Sequence, residues 1–175
     1  MEEVKYIPGD LVMTNGVPLG TAKDVVYRVT SSDPSKTLKL DDGTVLKGVV
    51  CLENIEGAEF GDKGYLLGDC CAWVKDIVPI NLVPEILEKN GWNKSTAWSY
   101  AGSKEHGYQF SKELDDKWDE FNRMAYGGLQ ISQCENLRDW NYINECNHYF
   151  YFEFTYVHEL QHLLFGLGIN CEMEV

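Results

Sequence analysis

The chain has 175 residues, 44% of them hydrophobic and 13% aromatic, which is enough to bury a core without disulfides or metals to hold it together. Its 28 acidic residues outnumber its 15 Lys and Arg residues, and the formal net charge of −13 repels phosphate backbones and anionic membranes. The sequence therefore predicts no generic nucleic-acid partner and no membrane partner, since the densest basic spacing, Lys36, Lys39 and Lys47, lies among aspartates.

Residues 1–78 are expected to form a β-rich domain of short strands separated by turns. The runs 37–40 and 44–50 flank Asp42-Gly43, a strong hairpin signal. Further short strands are expected at 11–13, 25–30, 65–67 and 72–74. Closely spaced short strands predict a small β-barrel or curled sheet of SH3-like or Tudor-like size.

Residues 79–175 are expected to form a smaller α+β half. Pro84 favours the first turn of a short helix over 85–89, and Asn90-Gly91 ends it. Further candidates are strands between 93 and 110, a helix-compatible run at 113–123, an aromatic-rich strand candidate formed by Tyr142-Ile143 and 148–154, and an amphipathic C-terminal helix at 156–165. The predicted fold class is therefore α+β, with the β-rich domain first.

One string near the C-terminus could carry chemistry: His158-Glu159-Leu160-Gln161-His162. On a helix, histidines four residues apart present both imidazoles on one face, where they can bind zinc. Glu159, beside the first histidine, occupies the position of a general base that acts on metal-bound water. The string supports one concrete hypothesis, a zinc-dependent hydrolase with His158 and His162 as metal ligands and Glu159 as the catalytic residue.

The surroundings of the string favour a structural helix instead. A catalytic zinc needs a third protein ligand, and the 13 residues after His162 offer only Glu172 and Glu174 as carboxylates. Upstream donors exist, but no spacing selects them: His106, His148 and Asp116. On a helical wheel His158, Gln161 and His162 lie opposite an apolar stripe formed by Val157, Leu160, Leu163, Leu164 and Leu167. We therefore assign no catalytic residue, metal ligand or cofactor on the favoured interpretation, and keep zinc as the alternative.

The N-terminus and the cysteines indicate a cytoplasmic protein. Residues 1–5 lack the positive and apolar segments of a signal peptide, and no apolar run approaches the ~18 residues of a membrane span. In a reducing compartment the six cysteines are expected to remain thiols. Cys70-Cys71 is a vicinal pair that could bind a soft metal, although we favour two neighbouring strand or core cysteines.

Three segments of the chain resemble a known group of proteins. They are a Gly-Asp-aliphatic turn and strand at Gly9–Val12, an Ile-x-Pro-Ile-x-Leu segment within Ile77–Trp92, and a Tyr-Val-His-x-Leu-Gln helix at Tyr156–Gln161. Together they resemble uncharacterised small proteins carried by phages and mobile elements of anaerobic gut bacteria. In that group Gln often stands at the position of Glu159 and Asn at that of His162. The resemblance therefore implies a packing or docking helix and supplies no established activity.

Three functions follow as hypotheses. The first is a non-catalytic binding or interaction protein, encoded by a phage or mobile element, whose partner is a host protein or a small ligand. Surface aromatics between residues 93 and 110 would be natural contacts for it. The second is the zinc hydrolase. The third is a counter-defence protein that sequesters a nucleotide signal, which would need a local Lys/Arg site to offset the acidity of the chain.

Overall fold

The structure, a computed structural model, describes residues 6–16, 25–55, 70–99, 106–112, 129–134, 140–143 and 153–175. The chain divides into two compact units, Met1–Ile80 and Asn81–Val175. Each unit contains a five-stranded antiparallel sheet, accompanied in the described residues by few helices. The predicted α+β class is therefore confirmed. The division into a β-rich 1–78 domain and an α+β region at 79–175 stays a prediction.

The first unit is built on one sheet with the strand order β4-β3-β2-β1-β5. Its strands are β1 (Leu11–Thr14), β2 (Tyr27–Lys39), β3 (Val45–Asn54), β4 (Cys70–Trp73) and β5 (Ile77–Pro79). Every neighbouring pair in this sheet is antiparallel. A 3-10 helix at Val74–Asp76 links β4 to β5.

β2 is one long strand where the sequence predicts two short strands at 25–30 and 37–40. Its pairing with β3 continues through the intervening residues, with register shifts at two places. At the second shift, Ser35 donates hydrogen bonds from its N–H (3.0 Å) and its hydroxyl (2.6 Å) to Asp33 Oδ1. Hydrogen bonds of this kind are typical of turns, but here they lie within a β-bulge, which bends a strand without ending it. The division into two strands was therefore wrong.

The short link between β4 and β5 forces this sheet to curl. The two strands lie at opposite edges, and a flat sheet would hold them about 19 Å apart, four strand spacings of ~4.8 Å. Only the three residues Val74–Asp76 separate the two strands, and a chain of that length spans about 14 Å at most. The edges must therefore approach each other, although no ladder joins β4 to β5 in the described part of the chain.

Buried apolar side chains from all five strands, and from the residues that precede β1 and β2, form the core of this unit: Tyr6, Val12, Val25, Tyr27, Val29, Val50, Leu52, Ala72 and Ile77.

The buried carboxylate of Asp76, the last residue of the 3-10 link, fixes that link in place. Asp76 Oδ1 accepts hydrogen bonds from Asn15 Nδ2 (2.8 Å) and Lys75 Nζ (2.8 Å), and the Asp76 carbonyl accepts the Asn15 N–H (3.0 Å). Because these donors offset the cost of burying a charge, the link is held at the end of β1.

The described part of the second unit combines a meander of strands with two helices. Its sheet has the order β10-β9-β8-β7-β6, formed by β6 (Asn93–Ser99), β7 (His106–Lys112), β8 (Leu129–Cys134), β9 (Trp140–Ile143) and β10 (Glu153–Phe154). The helices are α1 (Pro84–Lys89) and α2 (Val157–Gly166). As predicted, Pro84 lies in the first turn of α1 and Gly91, at φ +76°, follows its end.

Several predicted elements lie outside the described residues. They are the strand at 65–67, the helix-compatible run at 113–123 and most of the strand at 148–154, of which only β10 is described. β8 has no counterpart in the sequence prediction, because its alternation of Leu129 and Ile131 with polar residues is short. None of the described helices has the length and apolar character needed to cross a membrane.

Gly48 is a position at which the curled sheet leaves no room for a side chain. Its φ is +67°, and a Cβ there would lie 2.7 Å from Val74 Cγ2.

We expect Gly48→Ala to lower the free energy of unfolding by about 2–4 kcal/mol, because alanine is strained in the left-handed backbone conformation and its Cβ overpacks against Val74. Gly43→Ala is the matched control, because Gly43 has φ +87° but no atom within 4 Å of its Cβ position. The control should cost about 1 kcal/mol. Urea unfolding measures both, and equal losses would show that the contact with Val74 is irrelevant.

Candidate functional site

The acidic residue of the His158–His162 string holds the start of α2. Glu159 Oε2 accepts hydrogen bonds from the N–H groups of Thr155 (2.7 Å) and Tyr156 (3.0 Å). These amides precede the helix and find no carbonyl within it. An acidic side chain at the third helical position that reaches back to such amides is the acidic half of a capping box. Glu159 therefore has a structural role at the helix start.

The two histidines of the string contact each other on α2. Their ring centroids are 5.7 Å apart, and the rings meet edge to face at 82°. His158 also stacks on Tyr156, with centroids 5.9 Å apart and planes within 13°. The side chains thus have the neighbour relation expected at a spacing of four. Their exposure differs, because His158 is only 1% exposed whereas His162 is half-buried.

His158 and Gln161, which the helical wheel places opposite the apolar stripe of α2, are both buried. Gln161 Nε2 donates a hydrogen bond to the carbonyl of Cys171 (3.1 Å), which lies in the chain beyond the helix. Gly168, at φ +69°, follows the end of α2 and lets the C-terminal residues turn back along it. The returning residues meet the helix at Gln161.

Asn90 fixes the returning C-terminal residues to the end of α1. Its Nδ2 donates to the Glu174 carbonyl (2.7 Å), and its Oδ1 accepts the Glu174 N–H (2.8 Å). Lys89 Nζ adds a hydrogen bond to the carbonyl oxygen of Val175 (3.0 Å), and Met173 nearby is buried. One side-chain amide thus satisfies both backbone groups of one residue, as a paired strand would. Asn90 and Glu174 are 84 positions apart, so no local sequence pattern predicts these hydrogen bonds.

The described residues do not complete a metal site around the string. They contain no group of three or more His, Cys, Asp or Glu residues that could hold a metal ion. His148, Asp116 and the side chain of His106, the upstream donors considered above, lie outside the described residues, and Glu172 and Glu174 are exposed. Known proteins supply no ligand set either, because no protein family, curated protein or solved structure matches this chain.

A second candidate site, which the sequence analysis missed, is the outer part of the β2–β3 hairpin. Residues 33–47, called the arm from here on, extend beyond the ladder positions at which β1 pairs with β2 and β4 pairs with β3. The arm exposes Leu38 (47%), Leu40 (39%) and Val45 (51%). Single exposed apolar residues are common, whereas three of them at one hairpin end make that end a candidate contact surface. Their position around the predicted turn at Asp42 is the signal that could have identified them.

The charged residues of the arm cancel one another. Three are acidic and three basic, and all are exposed: Asp33, Lys36, Lys39, Asp41, Asp42 and Lys47. The Thr44 N–H donates a hydrogen bond to Asp42 Oδ1 (2.9 Å). This bond is the main cause, and a hydrogen bond from the Thr44 hydroxyl is the second cause, of a pKa of Asp42 below its ordinary value of 3.8. Stabilisation from a lowered pKa is complete above the ordinary value and is lost as the pH falls through the lowered one. The turn therefore keeps this contribution at neutral pH.

We expect Glu159→Ala to destabilise the protein by about 1–2 kcal/mol, because two amides at the helix start lose their acceptor. Glu159→Gln keeps an acceptor oxygen and should stay within about 0.5 kcal/mol of the wild type. Thermal and urea unfolding measure both variants. A loss as large for Gln as for Ala would show that the charge, and not the capping geometry, is what matters.

The histidines should respond differently to the same substitution. His158→Asn removes a buried ring and should cost about 2–3 kcal/mol, whereas His162→Asn should stay within about 0.5 kcal/mol of the wild type. The purified protein should contain less than about a tenth of an equivalent of zinc, since a site needs a complete ligand set. Metal analysis beside urea unfolding tests this. Stoichiometric zinc that disappears in His162→Asn would restore the metal hypothesis.

Proposed function

We propose that this protein is a non-catalytic binding protein that inserts the tip of its arm into an apolar cleft of another protein. The observation that carries the proposal is the exposure of Leu38, Leu40 and Val45 together at the end of a hairpin. Burying such side chains contributes about 25 cal/mol for each Å² of apolar surface removed from water. A partner that covers them therefore gains affinity at this tip.

The strand register explains why a cleft suits the arm better than a flat surface does. Leu38 pairs with Leu46, and Lys39 pairs with Val45. Paired residues of an antiparallel ladder lie on the same face, and successive residues lie on opposite faces. Leu38 and Val45 therefore lie on opposite faces of the hairpin. A partner can cover both only by surrounding the tip.

The charge of the chain favours a different protein over a second copy. The arm has three lysines and three aspartates and is neutral, while the whole chain carries −13. Two copies brought together repel each other through this charge. A partner of lower negative charge is repelled less, and the arm offers it both positive and negative side chains around the apolar tip.

The same proposal includes the barrel form of the first unit and the origin of the protein. The strand order β4-β3-β2-β1-β5, together with the three-residue link that curls the sheet, supports a small barrel of SH3-like or Tudor-like form. Origin from a phage or mobile element rests on the resemblance of the three segments described above. A cytoplasmic location and a host protein as the partner accord with that origin.

The two alternatives stay sequence predictions without support from the described residues. Glu159, the base that the zinc hydrolase requires, accepts two backbone amides at the start of α2. A nucleotide-binding protein would need a group of cations to offset the acidic chain. The lysines of the arm, by contrast, are matched in number by aspartates.

The experiment places a photo-cross-linking amino acid at position 38 and, as a control, at position 165. Phe165 is an exposed apolar residue outside the arm, at 66% exposure. The protein that is cross-linked from position 38 is identified, purified and titrated calorimetrically with the wild type and with Leu38→Ser/Val45→Ser. We expect the double variant to bind at least about tenfold more weakly, a loss of about 1.4 kcal/mol. Phe165→Ser should bind as the wild type does.

Two results would contradict the proposal. One is wild-type affinity in the double variant, provided that its circular dichroism and melting curve show it to be folded. The other is cross-linking from position 38 only to further copies of the same chain, with concentration-dependent dimers in sedimentation. That second result would identify a self-association surface and not a surface for another protein.

A further inference from the structure

Two cysteines from different strands face each other in the sheet of the first unit. Cys51 of β3 and Cys71 of β4 are ladder partners, and their Sγ atoms lie 2.7 Å apart. A disulfide bond is about 2.05 Å long and joins residues whose Cα atoms are roughly 4.4–6.8 Å apart, a range that includes directly opposed residues of an antiparallel pair. The backbone therefore already has the geometry that a cross-strand disulfide requires.

The same register changes the interpretation of the vicinal pair Cys70-Cys71. In the ladder with β3, Cys71 stands opposite Cys51, whereas Cys70 stands opposite Leu52. Successive residues of a strand alternate between faces, so chain neighbours in β4 occupy different positions of the pleat. The reactive partner of Cys71 is therefore the cysteine twenty residues upstream and not the one beside it.

Both thiols can be reached from solvent. Along β3 the residues on either side of Cys51, Val50 and Leu52, are buried, while Cys51 itself is half-exposed. Cys71 is exposed, and β4 is an edge strand of the sheet. Thiol oxidation requires that an oxidant reach the sulfur, so an exposed pair on the outer face of an edge is well placed for it.

We propose that Cys51 and Cys71 form a reversible disulfide by exchange with a small-molecule disulfide of the glutathione type. The thiolate of one cysteine attacks a sulfur of the small disulfide, a mixed disulfide forms, and one small thiolate leaves. The second cysteine then attacks the protein sulfur of the mixed disulfide and releases the second small thiol. Two protein thiols are oxidised, one small disulfide is reduced to two thiols, and the two thiol protons pass to the released sulfurs.

The disulfide would tie edge strand β4 to β3 and enclose the intervening segment in a covalent loop. Such a loop restricts the unfolded chain and so stabilises the folded one. The pair thus makes the stability of this sheet edge sensitive to the thiol–disulfide ratio around the protein. A reducing compartment keeps the pair open, in agreement with the thiols predicted from the sequence.

The test equilibrates the full chain in buffers with increasing ratios of glutathione disulfide to glutathione. Free thiols are then blocked by alkylation, and the peptides are mapped by mass spectrometry. We expect Cys51 and Cys71 to lose alkylation together and to appear in one linked peptide pair, two hydrogens lighter than the two free peptides. The urea midpoint should rise with oxidation and return on reduction. Cys71→Ser should abolish both the shift and the linked peptide pair, and Cys51 should then be found either alkylated or as an unresolved mixed disulfide with glutathione.

Cys171→Ser is the matched control, because Cys171 is half-exposed and lies in the other unit. This variant should keep both the linked peptide and the shift of the urea midpoint. A disulfide between Cys70 and Cys71, or mixed disulfides with glutathione that never resolve to the Cys51–Cys71 link, would overturn the proposal. So would full alkylation of Cys51 and Cys71 at every buffer ratio.

Discussion

The first unit depends on a mismatch between strand lengths. β2 and β3 have thirteen and ten residues, whereas β1 and β4 have four each and β5 has three. Because a three-residue link draws β4 and β5 towards each other, the sheet curls around the base of the long hairpin. The short strands can cover only that base. The arm, apart from the buried Leu46, and its apolar tip are exposed as a direct consequence.

The second unit shows how a catalytic pattern can arise from the needs of a helix. α2 begins where two backbone amides lack carbonyl partners, and an acidic residue at the third helical position is an effective acceptor for them. Glu159 meets that need. His158 and His162 flank it at a spacing that also places neighbours on one face of any helix. One short string can therefore satisfy the zinc pattern and still be used to build and pack the helix.

Local sequence signals predicted the local structure. Contacts between residues that are distant in sequence account for the differences between the sequence prediction and the structure. The hairpin at Asp42-Gly43 and the helix after Pro84 could be predicted, because a turn or a first helical turn is determined by the few residues that form it. The continuity of β2 could not, because its bulge is maintained by pairing with β3. Gln161, a buried residue of α2, bonds to a C-terminal segment that Asn90 holds from 84 positions away. The arm was missed for a related reason, since its exposure follows from the lengths of other strands.

We propose that the arm, and not the His158–His162 string, is the surface through which this protein acts. Hydrogen–deuterium exchange of the chain, alone and in complex with the partner recovered by cross-linking, tests it most directly, because amide protection reports which backbone segment becomes covered on binding. We expect new protection of amides within residues 33–47 on binding and unchanged exchange over 156–166. Protection over 156–166 with an unchanged arm would contradict it.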